Sequence, residues 1–418
     1  MSVASRSTAS RKRARCAVNA FRNSAGPNQV VTSLTTLAVM ALASRTLAPE
    51  QFGVFASLQL ILLLAVGGQR AYVLQPVLLE ADVDARHPVA EVRTRVLLAA
   101  GLMSSAGILV AVSVTQYQVQ LVALLIAVLA PSNLYWDAVR SHYQGRHAHG
   151  TLLHGDLICL FGAAAWIGAC SVADAPLATI SIGLGVGPLM ASMSLLPPWS
   201  RRWVSWRRSW ARRRAWNMLG DYIASTGLEQ GLILLSSVFL SVAAVGALRL
   251  AQTAIGPVAA LLIAVEATAL PRLRDRRSKA SRDNLRWAAP RFGGIAILCI
   301  CAGVGLSLLP IHIGEALFGP SWVAAAAVVG AIAVRQAAIA LTAGAVLALR
   351  TTERTGTIFR IRATMALLSI AILPVVLGRG DLVLFAWSIV ALQFLTSVVF
   401  VSATRRSPRP PRNAHISS

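Results

Sequence analysis

Long apolar runs dominate this sequence, and two of the clearest are LQLILLLAVGG (58–68) and VALLIAVLA (122–130). Neither run alternates apolar with polar residues, as the ~10-residue strands of a membrane barrel do. A helix needs about 20 mostly apolar residues to cross the hydrocarbon core of a bilayer. The residues around each run supply that length, so the sequence predicts transmembrane helices.

The composition of the 418-residue chain agrees with this prediction. Hydrophobic residues make up 56% of the chain and charged residues 13%, whereas a soluble domain has roughly 25% charged residues. A soluble protein of this size could not bury so much apolar surface. The sequence therefore predicts an all-α integral membrane protein.

Twelve segments are apolar and long enough to be predicted spans. They cover residues 28–46, 52–74, 96–115, 119–139, 151–173, 177–197, 217–242, 246–269, 292–310, 322–348, 358–377 and 382–403.

The distribution of basic residues predicts the orientation. The chain has 39 Lys and Arg residues against 16 Asp and Glu residues, and a net charge of +23. Thirty-four of the basic residues lie on the side of the N-terminus and two, Arg45 and Arg379, on the other. Because basic residues concentrate in cytoplasmic loops, we expect both termini in the cytoplasm. Anionic lipid headgroups then balance the positive charge, and no nucleic-acid partner is needed.

The first predicted span has two interpretations. A basic segment, Arg11–Arg15, precedes it, and ALASR (41–45) resembles the small-residue cleavage site of a signal peptide. A second span follows within a few residues, which favours a retained helix over a cleaved one.

A tryptophan-rich segment, PPWSRRWVSWRRSWARRRAW (197–216), lies at the middle of the chain. Trp199, Trp203, Trp206 and Trp210 are spaced by four, three and four residues, which places them on one face of a helix. Seven arginines lie largely on the other faces. A helix with a Trp face and an Arg face lies flat in the headgroup region, and the alternative is a disordered basic loop.

This helix divides the predicted protein into two sets of six spans. The predicted parts are a basic N-terminal tail (1–27), a first six-helix bundle (28–198), the interfacial linker helix (199–216), a second six-helix bundle (217–403) and a basic C-terminal tail (404–418).

Weak internal similarity supports a duplicated architecture. At an offset of 193 residues, Gly53 and Gln59 in the second span match Gly246 and Gln252 in the eighth. Many transporters consist of such repeats. We therefore predict two pseudo-symmetric bundles of about twelve helices in total.

Three arginines, Arg70, Arg249 and Arg335, lie within predicted spans. A charged side chain at the bilayer centre costs on the order of 2.5–3.5 kcal/mol, so each needs a cavity or a partner. A cationic cavity would suit phosphate groups, because Arg binds their oxygens in pairs. The alternative is that each arginine pairs with a nearby acid or extends to a headgroup.

Acidic residues also lie within the predicted spans. Glu229 and Asp221 are about two turns apart in the seventh span, and we predict them as a site for a coupling cation or proton. Asp137 and Arg140 are three residues apart, which predicts a pair on one helix face. Asp156 and Glu266 lie close to the inner interface and are predicted to be solvated.

Three further stretches carry a resemblance to a known family. They are SRTLAPEQFGVFASLQLILLL (44–64), VGALRLAQTAIGPVAALLIAVEATALPRLRD (245–275) and ALFGPSWVAAAAVV (316–329). Their order and content resemble the oligosaccharide flippases of the multidrug/oligosaccharidyl-lipid/polysaccharide exporter superfamily. The resemblance implies two facing six-helix bundles, alternating access, and a polyprenyl-diphosphate-linked oligosaccharide that moves from the inner to the outer leaflet.

The resemblance and the positions of the acidic residues bear on three possible functions. A flippase of the bacterial inner membrane, serving cell-surface polysaccharide biosynthesis and other assembly proteins, fits the resemblance best. A cation-coupled multidrug antiporter of the same superfamily usually carries an acid in the first span, and residues 28–46 contain none. A membrane glycosyltransferase or polymerase would need paired carboxylates on a sizeable outer loop, so we predict that the protein is not an enzyme. The five cysteines form no C-x-x-C pair, and we predict no metal and no cofactor.

Overall fold

The computed structural model describes residues 26–74, 88–114, 117–145, 148–173, 175–195, 209–274, 281–350 and 355–405. Regular secondary structure in these ranges is helical, and each of the twelve predicted spans coincides with a helical segment. The predicted all-α class is therefore confirmed. We call the ends of the helices inner and outer after the orientation that the basic residues predict.

The described α-helices are α1 (Gly26–Thr46), α2 (Pro49–Gln69), α3 (Pro88–Ser113), α4 (Tyr117–Gly145), α5 (His149–Val172), α6 (Leu177–Ser194), α7 (Ser209–Tyr222), α8 (Leu228–Phe239), α9 (Val242–Arg274), α10 (Ser281–Ser307), α11 (Ile311–Phe318), α12 (Trp322–Arg350), α13 (Thr355–Leu377) and α14 (Leu382–Arg405). One π-helical turn, Arg70–Leu74, continues α2, and another, Ile223–Gly227, joins α7 to α8.

Ten helical segments of the described residues are long and apolar enough to cross a bilayer. The two other predicted spans are α1 and the segment formed by α7 and α8. α1 is long enough but carries several Thr, Ser, Asn and Gln residues, which lower its hydropathy. The π turn divides the other span into helices of 14 and 12 residues.

The outward faces of the helices are apolar. Large apolar side chains such as Leu102, Leu109, Val112, Phe161 and Val375 are more than half exposed. A soluble protein rarely exposes so much apolar surface, whereas lipid covers it in a membrane. The chain is a multi-pass membrane protein.

Two stretches that lie between predicted spans, residues 140–150 and 311–321, are helical over much of their described length. Residues 311–321 contain α11, which starts after Pro310 and ends at Gly319, whose φ of 69° favours glycine. The stretch around residues 142–154 contains four histidines. His142 lies in α4, His149 and His154 lie in α5, and His147 lies outside the described residues.

The predicted linker helix is described only from Ser209 onward. Trp199, Trp203 and Trp206 lie outside the described residues, and Trp210 lies in α7. α7 runs without a break across the predicted boundary at residue 216 and ends at Tyr222. Most of the predicted N- and C-terminal tails also lie outside the described residues.

The helices pack in two groups that follow the order of the chain. α3 to α6 pack on one another and on α1 and α2, which also pack on the second group. α9, α10, α12 and α14 form the centre of the second group, which α8 and α13 complete, while α7 leads into α8 and also contacts the π turn after α2. We call these groups the first and the second half. The main contact between them is made by α9, which packs on both α1 and α2.

α2 and α9 cross at the glycines that the internal similarity had matched. A Cβ on Gly246 would lie 2.9 Å from Phe52 Cδ1 and 3.2 Å from Gly53 Cα, and a Cβ on Gly53 would overlap the carbonyl group of Val242. Small residues allow membrane helices to approach this closely. Equivalent residues of two repeats meet only near the axis that relates them, so the pseudo-symmetry axis passes close to this crossing.

Further contacts join the halves at both ends of the helices. At the outer end, Gly319 packs so closely on Ser44 at the end of α1 that a Cβ would overlap the Ser44 carbonyl group. At the inner end, the Tyr222 hydroxyl donates a hydrogen bond to the Leu64 carbonyl oxygen, 3.2 Å away. The ring of Tyr222 lies directly against Gly67. The halves are therefore in contact along much of their common surface.

The α2–α9 crossing predicts the effect of adding one methyl group. We expect Gly53→Ala to lower the stability of the protein by about 1–3 kcal/mol, because the new Cβ forces two backbones apart. Thermal unfolding of the detergent-solubilised protein, followed by size-exclusion chromatography, measures the change.

Gly294→Ala is the matched control, because Gly294 lies in α10 and a Cβ there would meet no atom within 4 Å. The higher helix propensity of alanine should leave its stability unchanged or raised. Equal melting of the two variants would contradict the close crossing.

Candidate functional site

Five arginines of the described helices lie inside the bundle: Arg70, Arg140, Arg249, Arg335 and Arg362. The structure does not bring the three predicted site arginines into one cavity. Arg70 lines a cavity in the first half, Arg335 lines a cavity in the second half, and Arg249 lies on α9 at the contact between the halves.

The cavity of the first half has a volume of about 180 Å³ and is enclosed by α1, α2, α4, α5 and α6. Its polar wall is a chain of four charged side chains. Arg70 Nε donates to Asp137 Oδ1 at 2.7 Å, and Nη2 donates to the same oxygen. Arg140 Nε donates to Asp156 Oδ1 at 3.0 Å, and its Nη2 donates to the Thr32 hydroxyl at 2.6 Å.

These pairs correct two predictions. Asp137 pairs with Arg70 on α2, and not with Arg140 on its own helix. Asp156 is buried against Arg140, and is not solvated. The reason is that a buried charge needs a partner of opposite sign, and neighbouring helices offer partners that the spacing along one helix does not reveal.

The two pairs differ in their access to solvent or ligand. The side chains of Arg140 and Asp156 are 6% and 3% exposed, so this pair is sealed inside the first half. The side chain of Arg70 is 44% exposed, although Asp137 beneath it is buried. The side chain of Arg70 is therefore accessible, although its Nε and Nη2 both bond to Asp137.

Arg249 has different partners from the other four arginines. Its Nε donates to Gln59 Oε1 at 3.0 Å, and its Nη1 donates to Gln252 Oε1 at 3.3 Å. One amide comes from α2 in the first half and one from α9 itself. Among the described residues, therefore, amide dipoles hold this buried cation in place of a carboxylate, and its positive charge is not neutralised by a direct partner.

Two glutamines of α2 are buried and have partners on other helices. Gln59 is buried beneath Arg249, and Gln69 is buried and donates to the Leu134 carbonyl oxygen at 2.8 Å. Both side chains join helices inside the protein.

The cavity of the second half is larger, at about 570 Å³, and residues of α8, α9, α12, α13 and α14 line it. Arg335 on α12 is buried in its wall and forms an ion pair with Glu229 on α8. Thr342 and Gln393 are joined by a hydrogen bond of 3.2 Å nearby. Glu229, the predicted coupling residue, therefore already has a cationic partner, which a coupling ion would have to displace.

Asp221, the other predicted coupling residue, pairs with Arg362 on α13. The distance from Arg362 Nη1 to Asp221 Oδ2 is 2.5 Å. The charge count had assigned Arg362 to an inner loop, so sequence analysis missed it as a site residue. It lies two turns inside α13, which begins at Thr355, and its side chain lines the second cavity.

The sealed pair predicts a large effect on stability. We expect Asp156→Asn to destabilise the protein by about 3–5 kcal/mol, because it leaves Arg140 buried without a counter-charge. The double variant Asp156→Asn with Arg140→Gln should recover part of this loss, since it removes both charges. Thermal unfolding measures both.

Glu50→Gln serves as control for that comparison, because Glu50 is exposed at the start of α2. A melting temperature for Asp156→Asn equal to that of Glu50→Gln would show that the pair adds nothing to stability.

Comparison with known proteins was made by sequence and by structure. No protein-family model matches the sequence, and no curated protein matches it. Solved structures do match. The structure of the lipid II flippase MurJ in an inward closed conformation aligns over 90% of this chain and 86% of its own, with a TM-score of 0.72 and 12% identity.

Two multidrug transporters align over similar lengths. The MATE multidrug transporter DinF-BH in complex with R6G covers 92% of this chain and 94% of its own, with a TM-score of 0.64 and 12% identity. An inward-facing MATE transporter of the MOP superfamily covers 90% and 94%, with a TM-score of 0.61 and 9% identity. The chain therefore has the fold of the multidrug/oligosaccharidyl-lipid/polysaccharide exporter superfamily, as its resemblance had implied.

Proposed function

We propose that this protein is a flippase of the bacterial inner membrane. It moves a polyprenyl-diphosphate-linked oligosaccharide from the inner to the outer leaflet by alternating access, and so serves cell-surface polysaccharide biosynthesis. The observation that carries this proposal is Arg249, a buried cation between the halves with amide partners only among the described residues.

The charge around Arg249 favours an anionic substrate. Glu229 is the carboxylate that interacts electrostatically with Arg249, and it is already paired with Arg335. The three side chains together carry one net positive charge in a region of low dielectric. A diphosphate would supply the missing negative charge and accept paired hydrogen bonds from a guanidinium group. A cationic drug would be repelled there.

The structural neighbours are compatible with two substrate classes. One is named as a lipid II flippase and others as multidrug transporters. The fold alone therefore does not choose between a lipid-linked glycan and a drug. The positive charge of Arg249 supports the glycan, because its diphosphate is anionic whereas the drugs of the alternative function are cationic.

The transport cycle follows from the positions of the arginines. The diphosphate approaches between the halves from the basic inner side and meets the partly exposed side chain of Arg70. It then reaches Arg249 and Arg335, while the polyprenyl tail stays in the lipid. The halves rock about the α2–α9 crossing, and the Gly319–Ser44 contact separates when the outer side opens.

The test is a lipid analysis of cells that lack the protein. We expect one polyprenyl-diphosphate oligosaccharide to accumulate, which mass spectrometry of the lipid extract would identify. Complementation with Arg249→Gln should restore transport at least ~10-fold less well than the wild type, since a hydrogen bond to a charged group is worth about 1.5–3 kcal/mol. Arg379→Gln, at an exposed outer position, should complement fully.

Other outcomes point elsewhere. An unchanged lipid extract together with sensitivity to cationic dyes would replace the proposal with multidrug antiport. Loss of the lipid-linked oligosaccharide would indicate a glycosyltransferase that makes it. Full complementation by Arg249→Gln would remove the residue on which the proposal rests.

A further inference from the structure

The ion pair between Arg362 and Asp221 has a feature that the other three pairs lack. Its two side chains are 21% and 34% exposed, so both partners are accessible. In the Arg140 pair both side chains are buried, and in the Arg70 and Arg335 pairs one partner is buried. An ion pair that solvent reaches from both sides is weak, so a stronger anion can displace its carboxylate.

The contacts of Arg362 also leave room for a ligand. Among the described residues, its guanidinium group makes one hydrogen bond, from Nη1 to Asp221 Oδ2. A carboxylate that accepts two parallel hydrogen bonds would occupy the fork of the guanidinium group. Here Asp221 accepts from Nη1 alone, and the side chain of Arg362 lines the cavity of the second half.

The shape of this cavity suits a molecule with an anionic head and an apolar body. Arg362 lies toward the inner end, and Leu373, Ile389 and Leu392 form an apolar wall that continues toward the middle of the membrane. α13, which carries Arg362, is the least buried of the ten apolar spans of the described residues, at 11%. The cavity therefore lies beside a helix that is surrounded mostly by lipid.

We propose that Arg362 is a binding site for the diphosphate of the lipid-linked substrate, and that Asp221 occupies this site until the diphosphate displaces it. The inference rests on the proposed function and adds to it a second site, in the second half, at which the diphosphate binds. It also gives Asp221 a role as a displaceable counter-charge in place of a coupling-ion ligand.

The test measures binding of farnesyl diphosphate, a short polyprenyl diphosphate, to the full-length protein in phosphatidylcholine nanodiscs. We expect Arg362→Gln to weaken binding about 10-fold or more, because a charge-assisted hydrogen bond is lost. We expect Asp221→Asn to strengthen binding several-fold, because the competing charge is removed. Size-exclusion chromatography checks that each variant is folded.

Arg360→Gln is the matched control. Arg360 lies on the same helix, is exposed and donates only to the Gly356 carbonyl oxygen, 3.4 Å away, among the described residues. Its removal should leave binding unchanged. Farnesyl diphosphate should also compete better than inorganic diphosphate, and farnesol should not compete. Equal competition by inorganic diphosphate would overturn the assignment to a lipid headgroup.

The outcomes separate this inference from the proposed function. If the wild type binds farnesyl diphosphate and Arg249→Gln abolishes binding, while Arg362→Gln behaves like Arg360→Gln, the inference fails and the flippase proposal stands. Weaker binding by Asp221→Asn would also overturn the inference, because a displaced carboxylate cannot contribute to affinity. If the wild type fails to bind farnesyl diphosphate, both proposals fail.

Discussion

A guanidinium group inside a bilayer must have partners, because an unpaired charge at the centre costs on the order of 2.5–3.5 kcal/mol. This constraint organises the interior of the protein. Arg70 and Arg140 join α2 and α5 to α4, while Arg335 and Arg362 hold α12 and α13 against the segment formed by α7 and α8. Arg249 joins the two halves through an amide. Two of these arginines, Arg70 and Arg362, tie helices together and also have accessible side chains.

Sequence analysis succeeded where the information is local. Apolar length predicts a span without reference to any other helix, and each of the twelve predicted spans is helical. Ion-pair partners were harder to predict, because they depend on how one helix is rotated against another. Asp137 and Arg140 are neighbours on α4, yet each pairs with a residue of a different helix. Arg362 lies inside the predicted span 358–377 and was missed because its partner, Asp221, is on a different helix.

The internal similarity gave long-range information that single spans cannot give. Gly53 and Gly246, matched only by their offset, meet at the α2–α9 crossing. Gln59 and Gln252, matched by the same offset, both accept hydrogen bonds from Arg249. A pseudo-two-fold axis explains both pairs, because equivalent residues of two repeats approach each other only beside the axis. Arg249 therefore donates hydrogen bonds to the amides of two residues that the repeats place in equivalent positions.

The ion pairs of the two halves differ in their exposure, and this difference affects which contacts can change when the halves move. In the first half the Arg140–Asp156 pair is buried, whereas the second half has a larger cavity and an accessible pair at Arg362. Adjacent residues on α7 face both halves: Asp221 pairs with α13, and Tyr222 bonds to α2. Any change in the Asp221 pair therefore acts on a helix that also holds the inner contact closed. Since Gly67 lies directly beneath the Tyr222 ring, a small shift of α7 is enough to alter that contact.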